Sequence, residues 1–354
     1  MSVAPLLLGL AGEELRADEI AFIQRVKPAG FLLFGRNIRS AEQVKELTSH
    51  LVELSGAYVP LIAVDQEGGR VQRIKFEGKL PPASVFGEWF AYAPDEAMRM
   101  AFLSAFLLAA QLRNVGANWL LGPDLDLSFP ETHAVIGNRA FSSDPAIVSV
   151  LGRAFMEGVA HGGCLSCLKH APGHGRSVLD THVDLPLVEA SFEDLQQDMQ
   201  PFADLAAGCP FIMTAHIVFR AFGTSLPATF DSALLAHMRS VWNFKGLMIA
   251  DDVGMNALSG RYDERLFKAL NAGCDLVICS MSKLIHGMAG TVWDEDNFRV
   301  LEHAHFPDVN DRALQFIKQM QIPPAPTALA IAQARDEFME IWSRRKVGLD
   351  INIT

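Results

Sequence analysis

Short apolar segments of strand length recur between residues 5 and 280, and most are bounded by glycine, proline or polar residues. Eight such segments occur: PLLLGL, GFLLFG, PLIAVD, ANWLLGPDLDL, CLSCLKH, PFIMTAH, GLMIADD and CDLVICS. They are apolar almost throughout, as is typical of strands buried on both faces of a parallel sheet. The pattern therefore predicts eight buried strands.

Helical patterns separate these segments. Apolar residues at helical spacing run through 13–26, 41–54, 95–116, 144–163, 191–208 and 231–244. Several of these stretches begin with Asp or Ser and end at Gly, which are residues that cap helix termini. The alternation predicts a (β/α)8 TIM barrel. A doubly wound open sheet has the same local pattern, and the count of eight strands favours the barrel.

The end of the chain predicts further helices with proline-rich breaks such as QIPPAPTA. No linker or change of composition marks a second domain. We therefore predict a single domain over 1–354, with the barrel over approximately 3–290 and extra C-terminal helices over approximately 291–354.

Composition and charge narrow the class of protein. Half the residues are apolar and a fifth are charged, as in globular proteins, and the net charge of −11 argues against nucleic acid or an anionic membrane as partner. The five cysteines are an odd number in apolar stretches, which suits buried thiols in a reducing compartment. Cys164 and Cys167 should point to opposite faces of a strand, so the spacing disfavours a shared zinc ion.

The N-terminus carries no basic segment of the kind that begins a signal peptide. No apolar stretch reaches the roughly 20 residues that a membrane span requires. We therefore predict a cytoplasmic protein that does not insert into membranes, and a monomer.

Polar residues follow several of the predicted strands. They are Asp65, Asp124, Lys169 with His170, His216 and Asp251. In a barrel the C-terminal strand ends converge on one face, which predicts a catalytic face there. Asp124 and His216 fit a structural role equally well, and we leave them outside the predicted site.

The segment KHAPGHGRSVLDTHVDLP (169–186) is rich in histidine and admits three interpretations. A metal site would require His170, His174 and His182 to converge with a carboxylate. Metal-dependent barrel hydrolases usually place a His-x-His pair after the first strand, where this chain has LLLGLAG, so we predict no metal and no other cofactor. A purely structural loop suits His174, which lies in a Pro-Gly turn, better than the other histidines.

The third interpretation is acid/base catalysis. Asp180 and His182 project to the same side of an extended segment, so the carboxylate can fix and polarise the imidazole. A partner carboxylate is available in GLMIADDVGM, where Asp251 and Asp252 end a strand. Alternation puts these two on opposite faces without deciding which one faces the barrel mouth. A carboxylate opposite a proton donor fits double displacement at the anomeric carbon of a sugar.

These residues resemble a known family. The segments GFLLFGRNI (30–38), PLIAVDQEGGRVQRI (60–74), GNRAFSSDP (137–145), 169–186, MTAHI (213–217) and IADDVGM (249–255) resemble the bacterial β-N-acetylhexosaminidases of glycoside hydrolase family 3. The resemblance is to the cytoplasmic single-barrel type that trims muropeptides. It implies a retaining exo-β-N-acetylglucosaminidase that acts on N-acetylglucosaminyl muropeptides in cell-wall recycling.

The resemblance also implies roles for individual residues. Asp251 would be the nucleophile, and His182 the general acid/base held by Asp180. The residues that would bind the sugar are Asp65, Arg73, Arg139, Lys169 and His170. Arg73 could instead form a surface ion pair, and Arg139 could stabilise its own loop. Asp252 would not contact the sugar but would stabilise residues that do.

Three departures from the family pattern put the aglycone preference in doubt. Ala171 stands where an aromatic residue is usual, RSVL precedes Asp180, and Asp252-Val253-Gly254 follows the nucleophile. A β-glucosidase or a glycoside phosphorylase of the same family remains an alternative. A non-catalytic sugar-binding barrel is a further one, although it would be expected to lack Asp251 or His182.

Overall fold

The computed structural model of the chain describes residues 3–56, 58–181, 184–284 and 291–344. Its main sheet contains eight strands: β1 Ala4–Gly9, β2 Pro28–Leu33, β3 Leu61–Val64, β4 Trp119–Leu120, β5 Cys167–Ala171, β6 Phe211–Thr214, β7 Leu247–Ala250 and β8 Leu276–Cys279. They are parallel, in the order β4-β3-β2-β1-β8-β7-β6-β5. Parallel bridges from Trp119 to Leu165 and from Asp124 to Lys169 join the two outer strands. The sheet therefore closes into the predicted barrel.

Helices surround the barrel and extend beyond it. They are α1 Ala17–Val26, α2 Ala41–Ser55, α3 Ala83–Phe90, α4 Pro94–Asn114, α5 Pro145–His161, α6 Phe192–Leu205, α7 Ser232–Val241, α8 Tyr262–Ala272, α9 Glu295–Glu302, α10 Asp311–Gln319 and α11 Ala328–Arg344. The predicted caps are present on several: Asp144 accepts a hydrogen bond from the Ala146 amide, and Ser191 accepts one from the Asp194 amide. The sequence pattern did not identify α3 or α8.

Strand residues alternate between two cores. On β7, Leu247 and Ile249 belong to the cluster inside the barrel, whereas Met248 and Ala250 pack towards the helices. The cluster inside the barrel also contacts the region of α10, where the Val309 amide donates to the Val3 carbonyl at 2.8 Å. This contact covers the N-terminal end of the barrel, so the C-terminal end is the open one.

The fourth strand is shorter than the apolar segment 117–127 suggests. Pro123 has no amide hydrogen to donate to the ladder, and pairing as a named strand stops at Leu120. Asp124 nevertheless forms an isolated bridge to Lys169, which brings two predicted strand ends together. Cys164 lies in the outer core and Cys167 in the barrel interior, so the two thiols do point to opposite sides. Among the described residues, no helix has both the length and the apolar character that crossing a membrane requires.

Candidate active site

A cavity of about 670 Å³ opens at the C-terminal ends of the barrel strands. Seven of the eight residues predicted from the sequence line it: Asp65, Arg73, Arg139, Lys169, His170, Asp180 and Asp251. The eighth, His182, lies outside the described residues. Strand ends that are far apart in sequence meet here because the sheet closes into a barrel.

Lys169 lies in β5, and its side chain is almost completely buried. Its Nζ is 2.9 Å from Asp65 Oδ1 and 2.6 Å from Glu67 Oε1. Burial opposes the positive charge, but the carboxylates of Asp65 and Glu67 outweigh it and raise the pKa of Lys169. Lys169 is therefore a fixed ammonium group in the cavity wall.

Arg139 is the second buried cation. Its Nε and Nη2 donate to the two carboxylate oxygens of Glu67 at 2.8 and 2.9 Å, and Nη2 also lies 3.1 Å from Asp124 Oδ2. Burial would raise the pKa of Glu67, but Arg139 and Lys169 hold it well below its usual range. The Glu67 carboxylate thus orients both cations at once.

A short hairpin presents Glu67. Strand Gln66–Gly68 pairs antiparallel with Val71–Gln72 directly after β3. Gly68 has a φ of +92°, and a Cβ at this position would lie 2.3 Å from the Pro81 carbonyl oxygen. The QEGGRVQ turn therefore requires glycine at this position.

His170 is held by a buried carboxylate that sequence analysis did not include. Its Nδ1 lies 2.8 Å from Asp126 Oδ2, and Asp126 Oδ1 accepts the amides of His170 and His174 at 3.2 and 2.7 Å. Burial opposes protonation of His170, but Asp126 outweighs it and raises the pKa of the imidazole. Since Nδ1 faces Asp126, Nε2 is the nitrogen that His170 offers elsewhere.

Asp124, Asp126 and His170 offer donor atoms within 4.8 Å of one another, the geometry of a possible metal site. Those donors already have partners, because His170 Nδ1 contacts Asp126 and the Arg139 guanidinium lies 3.1 Å from Asp124. A cation would have to displace an arginine to bind there. Burial and the Asp126 charge also raise the pKa of Asp124 to about 7, so a cation would compete with a proton for its carboxylate near neutral pH. The residues fit an ion-pair network better than a metal site.

The structure separates the two adjacent aspartates that sequence alternation could not assign. Both residues line the cavity, but Asp251 continues the barrel-interior positions Leu247 and Ile249. Asp252 Oδ1 accepts hydrogen bonds from the amides of Gly254 and Ser280 at 3.0 and 3.1 Å. Of the pair, Asp252 is thus the carboxylate that main-chain amides hold, and Asp251 is the one on the barrel-interior side.

Arg73 is less tightly held than the other cations. Its Nη2 lies 4.0 Å from Asp65 Oδ2, and about a third of its side chain is exposed. Arg36 and Arg70 also line the cavity, although the sequence analysis did not single them out. Arg36 is bonded to the carbonyls of Leu10 and Ser280. Arg70 donates to carbonyls in the 134–136 segment.

Glu67 and Asp126 are the main omissions of the sequence analysis. Glu67 lies inside the quoted PLIAVDQEGGRVQRI segment, two residues after Asp65. Asp126 lies two residues after Asp124 in GPDLDL, which is the spacing of side chains on one face of an extended chain. Both signals were available, but only the first acidic residue after each apolar run, Asp65 or Asp124, was considered.

A (β/α)8 barrel whose C-terminal mouth gathers carboxylates, a lysine and arginines is typical of enzymes that act on polar substrates. The chain belongs to glycosyl hydrolase family 3, whose N-terminal domain model matches residues 6–312. A beta-hexosaminidase of Xylella fastidiosa is 38% identical over 81% of this chain and 86% of its own length. One from Stenotrophomonas maltophilia is 37% identical over 79% of this chain and 84% of its own length.

A solved structure has the same fold. It is that of NagZ from Neisseria gonorrhoeae in complex with N-trifluoroacetyl-D-glucosamine, with a TM-score of 0.84 and 29% identity. The match covers 96% of this chain and 98% of that one, so the resemblance includes the C-terminal helices as well as the barrel. The family predicted from the sequence motifs is thereby confirmed.

Proposed function

We propose that the protein is a retaining exo-β-N-acetylglucosaminidase that removes terminal β-linked N-acetylglucosamine from peptidoglycan fragments. One observation carries the proposal: Asp251 and Asp180 line the same cavity, beside the ion-paired Lys169 and Arg139. A nucleophilic carboxylate and an acid/base group on opposite sides of a bound sugar are what double displacement requires.

In the proposed reaction His182, supported by Asp180, donates a proton to the glycosidic oxygen while Asp251 attacks the anomeric carbon. The glycosidic bond breaks, the aglycone leaves with the proton, and a glycosyl ester forms on Asp251. The neutral His182 then takes a proton from water, which attacks the same carbon and releases Asp251. Two inversions give a sugar of retained configuration. The chemistry needs no metal or organic cofactor.

The charged cavity wall supplies the proposed sugar contacts. The carboxylate of Asp65 can accept hydrogen bonds from ring hydroxyls, and Lys169, His170, Arg73 and Arg139 can donate to hydroxyl and acetamido oxygens. Lys169 and Arg139 are held in place before any ligand arrives, because Glu67 is bonded to both. Such preorganisation reduces the conformational entropy lost on binding.

The relatives support an acetamido sugar as substrate. Two are named beta-hexosaminidases, and the Neisseria structure contains an N-acylated glucosamine. The muropeptide aglycone, the cytoplasmic location and the monomeric state belong to the same proposal, and the aglycone rests on the sequence resemblance alone.

Release of nitrophenol from the aryl β-glycosides of N-acetylglucosamine and of glucose tests the proposal, with Asp251→Asn measured alongside. We expect turnover of the acetamido sugar only, a loss of orders of magnitude in Asp251→Asn, and a β-anomeric first product by NMR. Preference for glucose would overturn the substrate. Activity that survives Asp251→Asn would overturn the nucleophile and direct attention to Asp252. No turnover of either sugar would favour a binding protein.

A further inference from the structure

His216 follows β6 in the MTAHI segment and is buried beside the strand end that carries Asp251 and Asp252. It is 1% exposed and is not among the residues lining the cavity. Its Nε2 lies 3.0 Å from the main-chain carbonyl oxygen of Asp252, and its Nδ1 lies 2.8 Å from Thr229 Oγ1. A carbonyl oxygen can only accept, so Nε2 must carry a hydrogen.

The surroundings of His216 determine its protonation state. Burial lowers the pKa of the imidazole more than the charge of nearby Asp251 raises it, so the ring is neutral. With the hydrogen on Nε2, Nδ1 is an acceptor for the single hydrogen of Thr229 Oγ1, and the Ala215 carbonyl oxygen, 3.0 Å from Thr229 Oγ1, competes for that hydrogen. Thr214 Oγ1, 2.9 Å from Thr229 Oγ1, can donate in turn. Hydrogen-bond contacts thus link Thr214, Thr229 and His216 to the Asp252 carbonyl, and the bond whose direction is fixed is the one that Nε2–H donates to that carbonyl.

Asp252, whose carbonyl accepts the hydrogen bond from His216, orients the proposed nucleophile Asp251. The Asp252 amide donates to Asp251 Oδ1 at 2.7 Å. The Asp252 carboxylate accepts the amides of Gly254 and Ser280, and also the Ser280 hydroxyl. Asp252 is therefore held by Ser280 from the β8 side and by His216 from the β6 side. A shift of Asp252 would move the amide that orients the Asp251 carboxylate.

We propose that His216 is a positioning residue for nucleophilic attack, acting as a neutral Nε2–H donor that fixes Asp252 and, through its amide, the Asp251 carboxylate. This inference rests on the proposed function, in which Asp251 attacks the anomeric carbon. Neutrality matters because an imidazolium so close to Asp251 would stabilise its negative charge and make the carboxylate a weaker nucleophile. His216 touches neither substrate nor leaving group in this scheme.

The test compares His216→Leu with His216→Gln, using nitrophenyl N-acetylglucosaminide as substrate. Leucine removes the donor, and we expect kcat/KM to fall on the order of 100-fold, the size of effect that misplacing a reacting group by about 1 Å produces. Glutamine can place an amide N–H near the position of Nε2, so it should restore most of the activity. Affinity for N-acetylglucosamine, measured by calorimetry, should stay at the wild-type value in both. His237→Leu is the matched control, because His237 is exposed on α7.

Substitutions at Thr229 test the same inference with a smaller change to the buried core, in case His216→Leu does not fold. Thr229→Val removes the hydroxyl that donates to Nδ1 and should lower kcat/KM, whereas Thr229→Ser keeps that hydroxyl and should not. The losses in Thr229→Val and His216→Leu should be less than additive in the double variant, since both act through one hydrogen-bond chain.

Three outcomes would overturn the inference. Equal losses in the leucine and glutamine variants would mean that the donor is irrelevant. Weaker N-acetylglucosamine binding with unchanged kcat would make His216 a part of the sugar site. Wild-type kcat/KM in His216→Leu would show that Asp252 needs no support from β6. A wild-type enzyme that fails to hydrolyse the substrate would instead refute the proposed function itself.

Discussion

Glu67 offers the sharpest test of how the cavity wall is built. Its carboxylate contacts Arg139 at 2.8 and 2.9 Å and Lys169 at 2.6 Å, and its side chain is 7% exposed. Glu67→Gln keeps the shape of the side chain but removes the negative charge. One carboxylate oxygen is also replaced by an NH₂ group that faces N–H donors. Two buried cations thereby lose the anion that they share.

The cost can be estimated from this geometry. Removing one partner of a buried ion pair costs about 3–5 kcal/mol, because the remaining charge is desolvated and uncompensated. Unfolding entropy of about 2.1 cal/mol/K per residue gives about 0.7 kcal/mol/K for a chain of 354 residues. We therefore expect Glu67→Gln to lower Tm by about 4–7 °C. It should also reduce kcat/KM, since among the described residues Lys169 then keeps only Asp65 as an ion-pair partner.

Glu337→Gln is the matched control for calorimetric unfolding. Glu337 also makes a two-point contact with an arginine, at 2.6 Å to both Arg99 nitrogens, but 39% of its side chain is exposed. Exposed pairs contribute about 0–1 kcal/mol, so Tm should change by about 1 °C or less. Equal shifts in the two variants would refute the argument that burial makes the Glu67 contacts strong.

Three further predictions concern charge and reaction class. Asp126→Asn should lower the pKa of His170, measured by NMR titration of the imidazole, because the anion that outweighs burial is removed. Asp126→Asn should destabilise the protein more at acid pH, where His170 is charged, than at a pH above the pKa that His170 has in the folded protein. An unchanged His170 pKa in the variant would refute this prediction. The carboxyl of Asp124, whose pKa is raised to about 7, makes the folded wild-type protein less stable as the pH rises from about 4 to about 7. Asp124→Asn lacks this group, so its Tm should rise relative to that of wild type over the same interval, and parallel Tm curves would contradict the prediction. Added phosphate should neither speed the reaction nor yield a sugar 1-phosphate by mass spectrometry, and finding that product would reassign the protein as a phosphorylase.

The barrel and the family could be predicted from sequence because their signals are local. Each buried strand is a contiguous apolar run, and alternation along the strand divides its residues between the core inside the barrel and the core under the helices. The residues at the strand ends were identified in the same way, and four of them, Asp65, Lys169, His170 and Asp251, do line one cavity. Helix α3 and the hairpin that presents Glu67 were missed, because they are short insertions after β3 that no strand–helix alternation requires.

The amino-acid sequence by itself indicated the eight barrel strands and the polar residues at or just beyond most of their ends, because each buried strand is a contiguous apolar run. It also established that Asp251 and Asp252 lie on opposite faces. Only the tertiary structure showed that both residues line the cavity and that Asp252 is held by Ser280 and His216, since these contacts join strands that are far apart in the sequence. The same holds for Glu67, whose cations lie 72 and 102 positions away in the chain. Ion pairs form between charged groups that are close in the folded structure, and the local pattern of apolar and polar residues does not contain that distance.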